Sequence, residues 1–154
     1  MIGGTISYLL SEDPLTRQLF DGFWFPDVPA KISKIPALLI LNTDKSTGPG
    51  QHWCAAYISK SKHCEYFDPL AASPHNENGG YSFLNHLSKF SKSIEYNIIP
   101  VQDPLAKTCG HHCIYFCYLR ARGFPLNHIL NNAYSKNLVS NDALVSKFIV
   151  GLKK

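Results

Sequence analysis

The fold is decided by the stretch HWCAAYISKSKHCEYFD, which runs from His52 to Asp68. Residues 52–59 and 63–68 are rich in aromatic and β-branched side chains and predict two strands, and the polar KSK between them predicts a hairpin turn. A turn centred on Lys60 would set His52 directly across from Asp68, with Cβ atoms about 5 Å apart. The hairpin therefore predicts an imidazole beside a carboxylate, and a slip of one residue would move one of them to the other face of the sheet.

Further elements follow from hydrophobic patterns and turn residues in the rest of the chain. The continuous apolar run ALLILN at residues 37–42 predicts a strand that is covered on both faces. Asp13 followed by Pro14 predicts the start of a short helix through residue 20. The remaining predictions are a strand at 94–99, loops at 22–36 and 71–80, a turn at 46–50, a helix at 81–90, and two short helices beginning at Pro125 and near Asn141.

A longer helix is predicted from Cys109 to about Arg122, with Thr108 as its capping residue. It has no charged side chain before Arg120, so we expect it to be largely buried. A stripe of mostly small side chains would allow it to pack closely against a sheet: Gly110, Cys113, Ile114, Cys117 and Ala121. The uneven mixture of strands and helices indicates an α+β fold.

The composition is that of one globular domain spanning residues 1–154. With 45% hydrophobic and 17% charged residues, the sequence excludes intrinsic disorder and coiled coil. No apolar run reaches the roughly 20 residues that cross a bilayer, and residues 1–10 lack a secretion signal, so we expect an intracellular protein that binds no membrane. The five cysteines are an odd number, which argues against a disulfide framework. The net charge of +4 is spread along the chain and favours a solvated surface over a polyanion-binding patch.

Cys109 is the candidate nucleophile because it begins a buried helix. Backbone N–H groups and the helix dipole stabilise a thiolate there, and a nearby imidazolium would lower the thiol pKa further. His52 would be the base and later the acid, with Asp68 holding the imidazole in the useful tautomer. Gln102, in the loop before the helix, would donate an amide N–H to the oxyanion together with the backbone N–H of Cys109.

The order and spacing of these residues resemble those of the adenovirus cysteine proteases, the adenain family, and of their relatives in the ubiquitin-like-protein protease clan. The matching segments are GQHW at 50–53, YFDP at 66–69, and Gln102 with six intervening residues before Cys109-Gly110. Upstream, FDGFWFP at 20–26 is also similar. The resemblance covers approximately residues 10–122.

This resemblance implies a papain-like cysteine protease fold with the chain order permuted, in which a central mixed β-sheet is flanked by helices. It makes His52 the catalytic base, Asp68 the acidic third member, Gln102 the oxyanion-hole amide and Cys109 the nucleophile. Asp68 stands where the adenoviral enzyme has glutamate, whereas aspartate is usual in the wider clan. Trp53 is predicted either to shape the substrate cleft beside the base or to pack in the core as an aromatic residue of a strand.

The resemblance also implies a viral endopeptidase that cleaves capsid or core precursor proteins after small, glycine-containing sites during virion maturation. Such an enzyme would work in the host nucleus and in the virion, as a monomer and without a required cofactor. A peptide or viral DNA would activate it, as in the family. Residues 89–101 contain no cysteine, which argues against an activating peptide held there by a disulfide.

Alternative readings remain for the function and for the other histidines and cysteines. The same mechanism would serve a deconjugase that cuts after the terminal glycines of ubiquitin-like modifiers, and the same fold would serve a catalytically silent capsid or nucleic-acid adaptor. A zinc site is not predicted, because neighbouring side chains on one helix point in different directions and no pair of CxxC motifs is present. We expect His111 and His112 to lie on the helix surface or the pocket rim. The remaining cysteines are predicted to be buried packing residues: Cys54, Cys64, Cys113 and Cys117.

Overall fold

The computed structural model of the chain describes residues 1–48, 52–75 and 83–154. Within these ranges the helices and strands follow one another along the chain. They are α1 Gly3–Glu12, α2 Pro14–Leu19, β1 Phe20–Trp24, β2 Ala37–Asn42, β3 Trp53–Ile58, β4 His63–Phe67, α3 Leu84–Ser88, β5 Ser93–Tyr96, α4 Cys109–Ala121, α5 Leu126–His128 with a π-helical continuation Ile129–Ala133, and α6 Leu138–Leu152.

The described strands form one mixed sheet in the order β1-β2-β3-β4-β5. Strand β1 is parallel to β2, the next two pairings are antiparallel, and β5 is parallel to β4. Strand β2 has the predicted bounds, and all of its residues are buried. Leu38 and Ile40 enter the core on one side of the sheet, while Leu39 and Leu41 enter the core on the other. The prediction of a strand covered on both faces is therefore confirmed.

The hairpin formed by β3 and β4 is confirmed, but its predicted register is wrong. Ala55 pairs with Phe67 and Ile58 with Cys64, so the turn centres on Ser61. Lys62 adopts a left-handed conformation with φ 64° and lengthens the turn. Continuing this register by one residue sets Cys54, rather than His52, opposite Asp68. Each residue of the hairpin thus pairs with a partner two positions away from the predicted one. Because side chains alternate between the two faces of a strand, a shift of two leaves His52 on the face that it was predicted to share with Asp68.

Strand β1 occupies residues that were predicted as helix end and loop. Strands are predicted from an alternation of apolar and polar residues, and β1 interrupts that alternation in two ways. Gly22 has a positive φ of 113°, and the register with β2 shifts between Phe20 and Phe23. At the opposite edge, β5 ends at Tyr96, earlier than predicted, and Ile98 and Ile99 lie in a loop with 78% and 72% of their surface exposed. Both edge strands thus differ from their predictions, because an edge strand has fewer neighbours to impose a pattern.

Helix α4 packs on β3, and Cys109, the predicted nucleophile, is its first residue. The predicted helix is confirmed, but Thr108 does not cap it: its hydroxyl donates a hydrogen bond to Asp142 at 2.7 Å. His112 is fully buried, which corrects its predicted surface position, whereas His111 is half-buried. A neutral imidazole is tolerated in the core when both ring nitrogens have partners.

The other predicted helices differ from the structure mainly in their ends. Helix α2 begins after Asp13, whose side chain accepts a hydrogen bond from the Thr16 N–H, so the predicted cap is confirmed. Helix α1 was not predicted, and α6 begins three residues before the predicted Asn141. Residues 81–82 of the predicted third helix lie outside the described residues, as do parts of the predicted turn at 46–50 and loop at 71–80. Among the described residues, no helix combines the length and the hydropathy needed to span a bilayer.

Candidate active site

His52 and Asp68 meet at the end of the hairpin formed by β3 and β4. His52 directly precedes β3 and Asp68 directly follows β4, and His52 Nε2 lies 2.6 Å from Asp68 Oδ1. The carboxylate side chain is only 2% exposed. A carboxylate in this position accepts a hydrogen from Nε2, which leaves Nδ1 of the neutral ring to act as a base.

Asp68 is held in place by its own backbone as well as by its side chain. The amide of Asn97, in the loop after β5, accepts from the Asp68 N–H at 3.0 Å and donates to the Asp68 carbonyl at 2.7 Å. The Leu70 N–H donates to Asp68 Oδ1 at 2.8 Å. These bonds fix the carboxylate before any substrate arrives, which is the preorganisation that a catalytic acid requires.

Cys109 begins α4, and its side chain lies beside the His52 imidazole in the wall of one cavity, within range of electrostatic interaction. Burial raises the pKa of this thiol, but the hydrogen bond to His52 and backbone N–H donors from Trp53 and Gly110 outweigh that effect and bring the pKa below its usual value. The sulfur is therefore stabilised as a thiolate by a charged neighbour and by the backbone.

The pKa of His52 changes in the opposite direction. Burial lowers the pKa of its imidazole, but hydrogen bonds to Asp68 and then to Cys109 outweigh it and raise the pKa to about 12. The proton is thus favoured on the ring and disfavoured on the sulfur. The two opposite pKa changes favour an ion pair of a Cys109 thiolate and a His52 imidazolium, with the imidazolium hydrogen-bonded to Asp68.

The other cysteines have the opposite electrostatic environment. Cys54, Cys64, Cys113 and Cys117 are buried, as predicted, and burial is the largest cause that raises the pKa of each thiol. Cys109 is the half-exposed member of the five. An electrophile in solution is therefore expected to react with Cys109 and to leave the other four thiols unmodified.

A cavity of about 650 Å³ opens over the Cys109 sulfur. His52, Trp53, Gln102 and Cys109 all contribute to its wall, so the structure brings together at one cavity four of the five predicted site residues. Asp68, the fifth, lies behind His52. Residues 1–3 form a further part of the wall, and the Trp53 indole N–H donates to the Met1 carbonyl at 3.1 Å.

Gln102 lies within this wall and is 2% exposed. Its Nε2 donates to the Ala106 carbonyl at 2.9 Å, and its Oε1 finds no hydrogen-bond partner among the described residues. A primary amide has two N–H groups, so one remains for a ligand. The role of Gln102 in an oxyanion hole stays a prediction, as does the contact of Trp53 with substrate.

The described residues contain one group of three potential metal ligands, namely His52, Cys54 and Asp68, whose ligand atoms lie within 4.8 Å of one another. The cysteines and histidines of α4 do not belong to this group. The hydrogen bond between His52 and Asp68 already uses two of the three groups. The arrangement suits an acid–base pair with a buried thiol behind it.

Comparisons with known proteins were made by sequence and by structure. No family model matches the sequence, and no curated protein matches it. Among solved structures, the ASFV pS273R protease matches with a TM-score of 0.59 and 17% identity over 99% of this chain and 67% of that chain. The ChlaDub1 protein of Chlamydia trachomatis matches with a TM-score of 0.52, and the Chlamydia trachomatis effector Cdu1, solved bound to ubiquitin, with 0.54. Each has 17% identity and is matched over 97% of this chain, which covers 75% of ChlaDub1 and 77% of Cdu1.

The chain has a papain-like cysteine protease fold. The predicted fold class, α+β with a central mixed sheet flanked by helices, is therefore confirmed. The neighbours that share this fold are the ASFV pS273R protease and the Chlamydia trachomatis proteins ChlaDub1 and Cdu1. The narrower resemblance to the adenovirus proteases stays a prediction.

The side chains that hold the site together were not predicted from the sequence. Asn97 is one of them, and Asp142, which binds Thr108, is another. The signal that was available is His112: a histidine in the middle of an uncharged, buried helix requires polar partners from elsewhere in the chain. Its spacing in the sequence does not say which residues those partners are.

Proposed function

We propose that this protein is a cysteine peptidase that cleaves protein substrates through Cys109, His52 and Asp68. The observation that carries the proposal is the placement of the Cys109 thiol beside His52, whose Nε2 lies 2.6 Å from the buried Asp68 carboxylate, at a cavity large enough for a peptide segment. A binding module would not require a thiol whose pKa is lowered next to an imidazole whose pKa is raised.

In the proposed reaction, the Cys109 thiolate attacks the carbonyl carbon of the scissile amide and forms a tetrahedral oxyanion. His52 gives its proton to the leaving amine, so the C–N bond breaks and a thioester remains. His52 then takes a proton from water, which attacks the thioester, so the C–S bond breaks and releases the carboxylic acid and the Cys109 thiolate beside the protonated imidazole. Asp68 stabilises the imidazolium, and the free N–H of Gln102 with the Cys109 N–H would receive the oxyanion.

The substrates proposed are capsid or core precursor proteins, cut after small, glycine-containing sites during virion maturation in the host nucleus and virion. The enzyme would act as a monomer, with a peptide or viral DNA as its activator. The support for a viral role is the resemblance of the segments around His52, Asp68 and Cys109 to adenovirus proteases, together with the shared fold of the ASFV pS273R protease.

A second candidate function is a deconjugase that cuts after the terminal glycine of a ubiquitin-like modifier. It is favoured by the shared fold of ChlaDub1 and of Cdu1, the latter solved in complex with ubiquitin. Both candidates use the same three side chains, so they differ in what occupies the cavity and the surface around it.

The test of the proposed function compares wild type with Cys109→Ala on glycine-containing peptides and on ubiquitin-like fusion proteins, each with and without DNA at low salt. We expect the substitution to abolish cleavage while the circular dichroism spectrum is retained. Cys64→Ala, which removes a buried thiol from β4, is the matched control and should remain active. Cleavage by Cys109→Ala at the wild-type rate would reject the mechanism, and a wild type that cleaves neither class would support a silent adaptor.

A further inference from the structure

The loop of residues 103–108 connects the two predicted catalytic groups that do not come from the hairpin. It begins after Gln102 and ends at Cys109, so its shape sets the distance between the amide and the sulfur. Much of the loop faces solvent, and Leu105 is 92% exposed. Its internal bonds are short-range ones, from the Ala106 N–H to the Asp103 carbonyl at 2.9 Å and from the Leu105 N–H to Asp103 Oδ1 at 3.0 Å. Such bonds shape a turn but do not attach it to the rest of the molecule.

Just before the loop, the Val101 and Gln102 N–H groups donate to the Pro69 carbonyl at 2.9 and 3.1 Å, and Gln102 Nε2 donates to the Ala106 carbonyl. The attachment of the two ends of the loop comes from helix α6. Asp142 accepts from the Asp103 N–H through Oδ2 at 3.1 Å and from the Thr108 hydroxyl through Oδ1 at 2.7 Å. These are the residue after Gln102 and the residue before Cys109. The neighbouring Asn141 donates to the carbonyl of Val101, the residue before Gln102, at 3.0 Å. One turn of α6 therefore holds the chain on both sides of Gln102 and directly ahead of the nucleophile.

A buried imidazole fixes the Asp142 carboxylate in turn. His112 Nε2 lies 2.9 Å from Asp142 Oδ1, and His112 Nδ1 lies 3.0 Å from the Tyr134 hydroxyl. With a neutral ring these two bonds are satisfied by one tautomer, in which Nε2–H donates to Asp142 and the Tyr134 hydroxyl donates to Nδ1. His112 is fully buried and Tyr134 is 9% exposed, so water does not compete effectively for these bonds.

We propose that Asp142 is a positioning residue, which clamps the loop of residues 103–108 at both ends and thereby fixes Gln102 relative to the Cys109 sulfur. The inference that this clamp serves catalysis rests on the proposed function. Because the oxyanion forms between these two groups, a small displacement of either weakens transition-state binding more than substrate binding. His52 and Asp68 lie on the hairpin, so activation of the thiol does not depend on the clamp.

The test uses two variants that remove the clamp in different ways, and one conservative control. Asp142→Asn keeps the size of the side chain but replaces one acceptor oxygen with an N–H₂ group, so at least one of the bonds is lost. Thr108→Val keeps the shape and removes one hydroxyl, whereas Thr108→Ser keeps the hydroxyl. Each protein is examined by amide hydrogen exchange of residues 103–108, by the rate at which iodoacetamide alkylates Cys109, and by kcat and KM on a cleaved substrate.

We expect faster exchange in the loop of both Asp142→Asn and Thr108→Val, with an alkylation rate near that of wild type. Their kcat should fall by about 10-fold to 100-fold with little change in KM, since a displaced oxyanion donor weakens the transition state selectively. Thr108→Ser should behave as wild type in all three measurements. This pattern separates a positioning role from general loss of stability, which would also change the alkylation rate.

Unchanged exchange in the loop of both variants would overturn the clamp. Faster exchange with an unchanged kcat would overturn its catalytic role, and a Thr108→Ser protein as impaired as Thr108→Val would show that the hydroxyl is not the connection. If the wild type cleaves no substrate, the proposed function and the catalytic role fail together. The exchange comparison then still decides whether Asp142 holds the loop.

Discussion

Asp68 controls the charge of the site without touching the reacting thiol. Its hydrogen bond to His52 is the largest contribution that raises the imidazole pKa, and the imidazolium in turn keeps the Cys109 pKa low. The thiolate exists at pH values above the thiol pKa and loses its charged partner above the imidazole pKa. Asp68 therefore widens, at both ends, the pH range in which the reactive pair exists.

We predict that Asp68→Asn narrows that range from both sides. The acid limb of the alkylation rate of Cys109 should move to higher pH, and the alkaline limit of peptide cleavage should move to lower pH, because the imidazolium has lost its carboxylate. The measurement is the pH profile of iodoacetamide modification and of kcat/KM. Glu95→Gln is the matched control, since Glu95 pairs with His63 on an exposed part of the sheet. Profiles that coincide with wild type would remove Asp68 from the triad.

Gln102 offers a test of the oxyanion hole that does not involve the charge of the triad. We predict that Gln102→Ala reduces transition-state stabilisation by about 2–4 kcal/mol, because one preorganised donor is lost. Alkylation of Cys109 should change little, since no oxyanion forms in that reaction. The measurement is kcat/KM for a cleaved peptide alongside the alkylation rate. An unaltered kcat/KM would show that the donor is another group.

Three of the five predicted site residues have a local signal in the sequence, and the structure brings these three together. Cys109 begins an uncharged helix, and His52 and Asp68 end two strands of one hairpin. The residues that hold them could not be found in this way. Asn97 and Asp142 reach the site from loops and helices far along the chain, and many polar residues in similar local contexts make no such contacts. Their partners are fixed only once the sheet and α6 have packed.

At the scale of elements, the close approach of α4 to α1 depends on the missing side chain of Gly110. A Cβ at this position would lie 3.3 Å from Met1 Cβ and 3.4 Å from Ile6 Cδ1. These are tight contacts, and larger side chains would force the two helices apart. Gly110 belongs to the stripe of residues that was predicted to let α4 pack closely against a sheet. In the structure Gly110 allows close packing against α1, and α4 also packs on β3.

We predict that Gly110→Val destabilises the protein by about 1–3 kcal/mol through overpacking. Gly4→Ala is the matched control, because Gly4 lies in α1 with nothing near its added Cβ and should gain about 0.5 kcal/mol from reduced unfolded-state entropy. Urea unfolding followed by circular dichroism measures both. A Gly110→Val protein as stable as wild type would show that α1 moves aside without cost.

The elements that the sequence predicted best are those with two covered faces. Strand β2 has its predicted bounds because all of its residues are buried and all but Asn42 are apolar. A continuous apolar run of this length, bounded by turn residues, predicts a strand that is covered on both faces. Strand β1 has no such pattern: it contains Asp21 and a left-handed Gly22, and its partner is the later strand β2. The hairpin register was wrong by two residues because one lysine in the turn adopts a positive φ, which its residue type does not indicate.

At the scale of the whole molecule, an ion pair joins the beginning of α2 to the end of α4. Arg122 binds Asp13 through both terminal nitrogens, at 2.7 and 3.0 Å, and its guanidinium lies 3.3 Å from the centre of the Tyr118 ring. The hydrogen bond to Arg122 is the largest cause that lowers the Asp13 pKa, from 3.8 to about 2. The pair thus connects two helices that are distant in sequence.

Because the folded-state pKa of Asp13 lies below its unfolded value, the pair stabilises the fold above pH 4 and loses that effect as the pH falls towards 2. We predict that Asp13→Asn, which keeps a capping oxygen, lowers the free energy of unfolding by about 1–2 kcal/mol at pH 7, reduced from the full pKa effect by solvent at the pair. The difference from wild type should vanish near pH 2. Urea unfolding at several pH values measures it, with Glu12→Gln, an exposed neighbour, as the control. If the substitution lowered the free energy of unfolding equally at every pH, the loss would come from the N-terminal cap of α2 and not from the ion pair.

The two tryptophans of the chain lie on opposite sides of the sheet. Trp53 adjoins the cavity through its backbone contact with Cys109, whereas Trp24 is enclosed with Phe90 and His86 in the other core. A protonated imidazole quenches indole emission, and each tryptophan lies near a histidine, Trp53 next to His52 in the sequence and Trp24 against the ring of His86. Replacing Trp24 by Phe would therefore leave Trp53 as the one indole whose fluorescence reports the charge of His52, with no label attached.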